Sequence, residues 1–184
     1  MSGDALEAGS GDLFDRELRA EIFGLNKKME DEVRTALSNQ NYVLTQELCD
    51  EWLKRTPLAA VANYLAAWSR DAQGLEPEAL LFYEKALALG LTGSDLRRAL
   101  LGTASTYRNV GELARSEELL RQGIREYGAG SEFTAFLALT LYSAGRFKEA
   151  ISIRLGLLVD TTEDEHIKRY ERALRYYADD PDGK

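Results

Sequence analysis

The sequence predicts an all-α fold, a right-handed α-solenoid of about four helical hairpins with an extra N-terminal helix and a C-terminal capping helix. Three observations carry that reading. Short turn segments recur at Gln40, Gly74, Gly111 and Gly145, in steps of 34, 37 and 34 residues. A period in this range is the mark of stacked helical hairpins. Ala and Leu dominate, and Pro occurs only 3 times in 184 residues, which favours helix throughout. Between the turns, apolar residues return at steps of three and four, the spacing of one buried helix face.

The elements follow in order. Residues 1–11 are Gly, Ser, Ala and acid, with too little apolar surface to offset ordering entropy, and are read as a disordered tail. Leu18, Ile22, Leu25, Met29, Val33 and Ala36 draw one stripe along a helix over 13–39, with Gly24 as its weak point. Further helices are expected at 42–54, 58–72, 76–89, 95–109, 113–126, 131–143, 147–160 and 163–178. Thr56-Pro57 reads as a helix start, Ser94 and Ser131 as caps, and Thr162 with Glu165 as a capping box. The helices pair into units near 26–57, 60–91, 97–128 and 131–160, with a cap at 163–178, all in one domain over 12–178. Residues 179–184 are read as a second tail.

Composition bounds the function. A net charge of −8 repels phosphate backbones, so nucleic acid is not expected as a partner. No apolar run approaches the roughly 20 residues a membrane-spanning helix needs, and the N-terminus lacks the basic and apolar regions of a signal peptide. The lone cysteine, Cys49, forbids an intrachain disulfide. A cytoplasmic protein is the expectation.

Superposed on their turns, the units share a size pattern. Ala67, Ala104 and Ala138 fall at a small site on the first helix of each pair, and Ala79, Ser116 and Ala150 at a small site on the second. Small side chains there let two helix backbones approach closely. Tyr83, Leu120 and Arg154 take the next large site, where Arg154 departs from the pattern; Ala86, Gly123 and Leu157 follow. The first unit is the most degenerate, with Thr45, Cys49 and Trp52 in place of the usual residues. These units resemble tetratricopeptide repeats over about 26–160. The segments around Leu89-Gly90-Leu91, Arg97-Arg98-Ala99 and Ala135-Phe136-Leu137 are similar to a group of small bacterial members of that family.

No catalytic constellation is expected. General acid–base or metal chemistry needs convergent His, Cys and carboxylates. The only histidine, His166, sits in a charged, solvated helix start, and Cys49 reads as core filler. No Gly-rich phosphate loop is present, and neither a cofactor nor a metal is expected. The basic residues Lys168, Arg169, Arg172 and Arg175 stand among acids and read as a solvated face.

The resemblance implies a concave groove lined by the first helix of each pair. Its repeat geometry turns sixteen positions toward the groove: Lys27, Glu30, Arg34 and Leu37; Val61, Tyr64, Trp68 and Asp71; Arg98, Leu101, Ser105 and Arg108; Glu132, Ala135, Leu139 and Tyr142. Tyr64 and Trp68 stand where a carboxylate clamp would need Lys and Asn, so a chaperone-tail clamp is not expected. The candidate strip is Tyr64, Trp68, Leu101, Leu139 and Tyr142, edged by Arg34, Arg98 and Arg108. Aromatic anchors and arginine forks suit an amphipathic, partly acidic peptide or helix. Trp68 stays open between groove and core. The expected role is a non-catalytic protein-interaction scaffold. Two alternatives stand beside it: self-assembly, such as a homodimer, through helix 13–39, and a non-catalytic subunit of an enzyme complex.

Overall fold

The turns set the architecture. In the computed structural model, which describes residues 8–182, four of them close in the same way. The backbone N–H of Asn41, Leu75, Glu112 and Arg146 donates to the carbonyl of Ala36, Arg70, Tyr107 and Leu141, five residues back, at 2.9 to 3.0 Å. This is the Schellman closure, which needs a left-handed residue just before the donor. Gly74, Gly111 and Gly145 supply it with φ of 74°, 87° and 75°, and Gln40 does so with φ of 56°. The periodicity in the sequence is thus a periodicity of one backbone conformation that glycine adopts without strain.

The helices are α1 (Ala8–Ser38), α2 (Tyr42–Arg55), α3 (Ala60–Asp71), α4 (Glu76–Ala88), α5 (Gly93–Asn109), α6 (Leu113–Tyr127), α7 (Glu132–Ser143), α8 (Phe147–Thr161), α9 (Glu165–Lys168) and α10 (Glu171–Asp179). Each of α1 to α8 packs on its chain neighbour, and α10 packs on α8. The odd helices also touch one another, α1 on α3, α3 on α5 and α5 on α7. That row is the closer-packed side of the stack and therefore its concave side. The architecture is an all-α solenoid of hairpins.

Several boundaries differ from the sequence reading. Helix α1 begins at Ala8, inside the expected tail 1–11, and runs unbroken through Gly24. Residues 1–7 and 183–184, and the side chain of Leu18, lie outside what the structure describes. Helix α3 starts at Ala60, not 58, because the Thr56 hydroxyl is drawn to Asn26 and to the Trp52 carbonyl instead of capping forward. Helix α5 starts at Gly93, ahead of Ser94. The Thr162 cap moves to Asp164, whose carboxylate accepts from the His166 N–H at 2.8 Å. The single cap helix over 163–178 is two helices, broken at Arg169 and Tyr170. Ser152 donates to the carbonyl of Ala178 at the end of the cap, and in the second tail Asp182 pairs with Lys148.

The small-site pattern becomes packing. Ala67, Ala79, Ala104, Ser116, Ala138 and Ala150 are all buried. Ser116 and Thr140 share a buried hydroxyl–hydroxyl bond of 2.9 Å across α6 and α7. At Gly123 an added Cβ would overlap the Phe133 ring, which stacks on Tyr127 at 5.5 Å. Leu65, Leu120, Leu137 and Leu141 are closed off from water, each burial worth about 2 kcal/mol. In the first pair Thr45, Cys49 and Trp52 are buried as well, and burial pushes the Cys49 thiol up to about 12, so it stays protonated.

Candidate functional site

Helix α3 is buried nearly all round, because α1, α2, α4 and α5 enclose it. Trp68 is its exception. The indole is 38% exposed and stacks on Tyr64, centroids 6.1 Å apart, while Tyr64 itself is only 2% exposed. A ring half in water thus rests on a ring fixed in the core. Burial pushes the Tyr64 hydroxyl up to about 12, so it stays neutral.

Between α3 and α5 this pair lines a cleft of about 310 Å³. The cleft also takes in Asp71, Arg98, Leu101, Ser105, Gly102, Tyr83 and Phe136. It exists because α5 carries a glycine at its centre. A Cβ on Gly102 would lie 2.5 Å from the Tyr83 hydroxyl, so only glycine lets the Tyr83 ring of α4 reach between α3 and α5. Burial raises the Tyr83 pKa, and the neighbouring Asp71 charge raises it further.

The cleft is charged at both ends. Arg98 is exposed, 3.9 Å from Asp95. Asp71 closes the other end, and its Oδ1 accepts from the Thr106 hydroxyl at 3.1 Å. Burial raises the Asp71 pKa above the ordinary carboxylate value, offset in part by hydrogen bonds from Thr106 and Tyr83.

Of the residues read as groove candidates, the structure gathers Tyr64, Trp68, Arg98 and Leu101 here. Asp71 and Ser105, counted as groove-facing, join them. The other four stand elsewhere. Arg34 bridges α1 to α5, donating to Glu30 at 2.7 Å and to Asp95 at 2.5 Å. Arg108 is half-buried and donates to Asn109 at 3.0 Å. Leu139 is half-buried on α7. Tyr142 is exposed and meets Phe147 of its own pair edge-on at 5.1 Å. Phe136, one position away from the counted Ala135, is the α7 residue that reaches the cleft. Tyr83 and Gly102 are not among the sequence-read candidates, because counting positions on first helices finds neither a second-helix ring nor the gap that admits it, and Phe136 is displaced by one from the counted position. The mid-helix glycine was the available signal.

A larger surface groove of about 760 Å³ lies between α1 and α2, lined by Lys27, Lys28, Thr35, Ala36, Leu44 and Leu48 among others. Its charged residues already pair along the helix, Lys27 with Asp31 and Lys28 with Glu32. Among the described residues no group of three or more His, Cys, Asp or Glu side chains converges as metal ligands do. No helix among them is long and apolar enough to cross a membrane.

The family model described as Tetratrico peptide repeat matches residues 60–180, from the start of α3 to just past the end of α10. No curated protein matches the chain.

Proposed function

The chain belongs to the tetratricopeptide-repeat family, whose repeats generally mediate protein–protein interaction, and on that premise we propose that it is a non-catalytic scaffold. It binds a peptide or helix in the concave groove, at the α3/α5 cleft. The observation that carries this reading is the half-exposed Trp68 on its buried Tyr64 base, at the mouth of a preformed cleft. A rigid aromatic of this kind loses little entropy when a partner covers it, which is why such residues dominate binding energies. Leu101 and Phe136 extend the apolar floor, and Arg98 offers a donor fork at the edge.

The test is selection of binding peptides from a random display library, followed by affinity measurement on Trp68→Ala and Arg98→Ala. Truncation of an anchor typically costs about 2 kcal/mol, roughly thirtyfold in affinity. The expected result is that loss with helicity and melting unchanged. Peptides that bind both variants as tightly as the parent would overturn the groove reading.

One observation supports a second reading, self-assembly through α1. Asn26 accepts from Trp52 at 2.8 Å and from Thr56 at 3.2 Å, so α2 ends level with Asn26 and residues 8–25 run past it. Ile22, Phe23 and Leu25 are exposed on that extension, Phe23 at 74%. If a second copy covers them, deleting residues 1–25 converts a dimer to a monomer in sedimentation. A monomer at all accessible concentrations removes this reading.

A further inference from the structure

We propose that the Asp71 end of the α3/α5 cleft is a subsite for a basic side chain, the Lys or Arg of a bound peptide. The inference rests on the groove reading above and adds to it the chemistry and direction of the ligand.

Charge is the first ground. Arg34, Arg70, Arg97, Arg115 and Arg146 each have a carboxylate within 3 Å. Asp95, at the opposite end of the cleft, takes Arg34. Asp71 differs. Among the described residues no Lys, Arg or His lies within ion-pair distance of it, and its Oδ1 accepts from the neutral Thr106 hydroxyl instead. A half-buried carboxylate without a cation is incompletely compensated. A neutral peptide closing over it would strip water and leave it unpaired, and an acidic one would be repelled. A cation alone gains by entering.

The walls are the second ground. Trp68 and Tyr83 flank Asp71 in the same cleft, and aromatic faces attract ammonium and guanidinium groups, more so when water is displaced. Ser105 leaves room opposite Asp71, on the facing turn of α5. Burial also raises the Asp71 pKa, in keeping with a carboxylate that has no cation beside it.

Arg98 supplies direction. It lies seven residues before Ser105 on α5, about 10 Å along the helix. An extended peptide covers that distance in about three residues. A basic residue at Asp71 and an acidic residue three positions away, with an apolar residue between them on Trp68, would match the cleft in one orientation.

The probes are three terminally blocked hexapeptides: Gly-Lys-Ala-Leu-Glu-Gly, and the same with Gln or Glu in place of Lys. Binding is read by calorimetry and by Trp emission. The Lys peptide is expected to bind about tenfold more tightly than the Gln peptide, and the Glu peptide more weakly than either. Asp71→Asn keeps an acceptor for Thr106 and should reduce the Lys preference to less than about twofold. Ser105→Lys, which offers Asp71 a cation while leaving the Asp71 residue itself in place, should do the same and guards against a folding effect of the first variant. Equal affinity for the Lys and Gln peptides, with both lost in Trp68→Ala, would overturn the basic subsite and leave the groove reading standing. A Lys preference that persists in both variants would also overturn it. No binding by any of the three at millimolar concentration removes the inference together with the groove reading on which it rests.

Discussion

At one repeat position α4 carries Tyr83 and α6 carries Leu120, both buried, while α8 carries Arg154, exposed. One turn on, Ala86 and Gly123 are buried and Leu157 is half-buried. The middle pairs are covered on two sides by further pairs. The last pair has a full neighbour on one side and only the short α10 on the other, and Ala150 is its single buried second-helix residue. The repeat therefore prescribes a register, and position in the stack prescribes the chemistry at each register site. The cleft proposed above follows the same rule. It lies between α3 and α5, where rings are held from both sides, and not among the exposed rings at the C-terminal end, Tyr170, Tyr176 and Tyr177.

The widest contrast should come from arginine insertion. Ala138→Arg places a long cation at a closed helix crossing, and an unpaired buried charge costs about 3–5 kcal/mol. Ala173→Arg, on an exposed face of α10, should stay within about 0.5 kcal/mol. Equal melting temperatures would break the comparison. Truncation comes next: Leu120→Ala should cost about 3 kcal/mol in urea unfolding, against roughly nothing for Arg154→Ala.

The turns offer a smaller test of opposite sign. Gln40 holds a left-handed conformation without being glycine, a strain of about 1 kcal/mol or more. Gln40→Gly should raise stability by up to about 1 kcal/mol, and Gly111→Ala should lower it by a similar amount. If Gln40→Gly destabilises, the first turn is not equivalent to the others.

The smallest effect is electrostatic. Arg97 donates to both Glu132 oxygens at 2.7 Å, linking α5 to α7, and this bond holds the Glu132 carboxyl below its usual pKa. A depressed folded pKa contributes stability that is present above the unfolded value and is lost as pH falls through the folded one. Both side chains are more than a third exposed, so the coupling in an Arg97→Gln, Glu132→Gln double-mutant cycle should stay below about 1 kcal/mol at pH 7. It should vanish in acid. A coupling that survives in acid would show that packing of Arg97 over the Tyr127 ring, 4.9 Å away, carries the link instead.

The fold was legible because glycines at fixed spacing and small residues at fixed register are backbone requirements, visible one residue at a time. Helix starts were less legible. Thr56, Ser94 and Thr162 each look like caps, but Thr56 bonds to Asn26, α5 starts one residue before Ser94, and Asp164 caps in place of Thr162. Depth was the main gap at the site. Repeat counting gives the direction in which Tyr64 points, not that its neighbours bury it to 2% exposure. Trp68 and Tyr64 are one helical turn apart, yet one is 38% exposed and the other 2%, a difference no local pattern encodes.

Hydrogen–deuterium exchange on the free protein and on its complex with a selected peptide shows which helices a partner covers. Added protection is expected only in α3 and α5, in segments 60–71 and 98–109, with residues 8–44 unchanged. Protection appearing over α1 and α2 instead, with α3 and α5 unaltered, would contradict it and move the binding surface to the N-terminal pair.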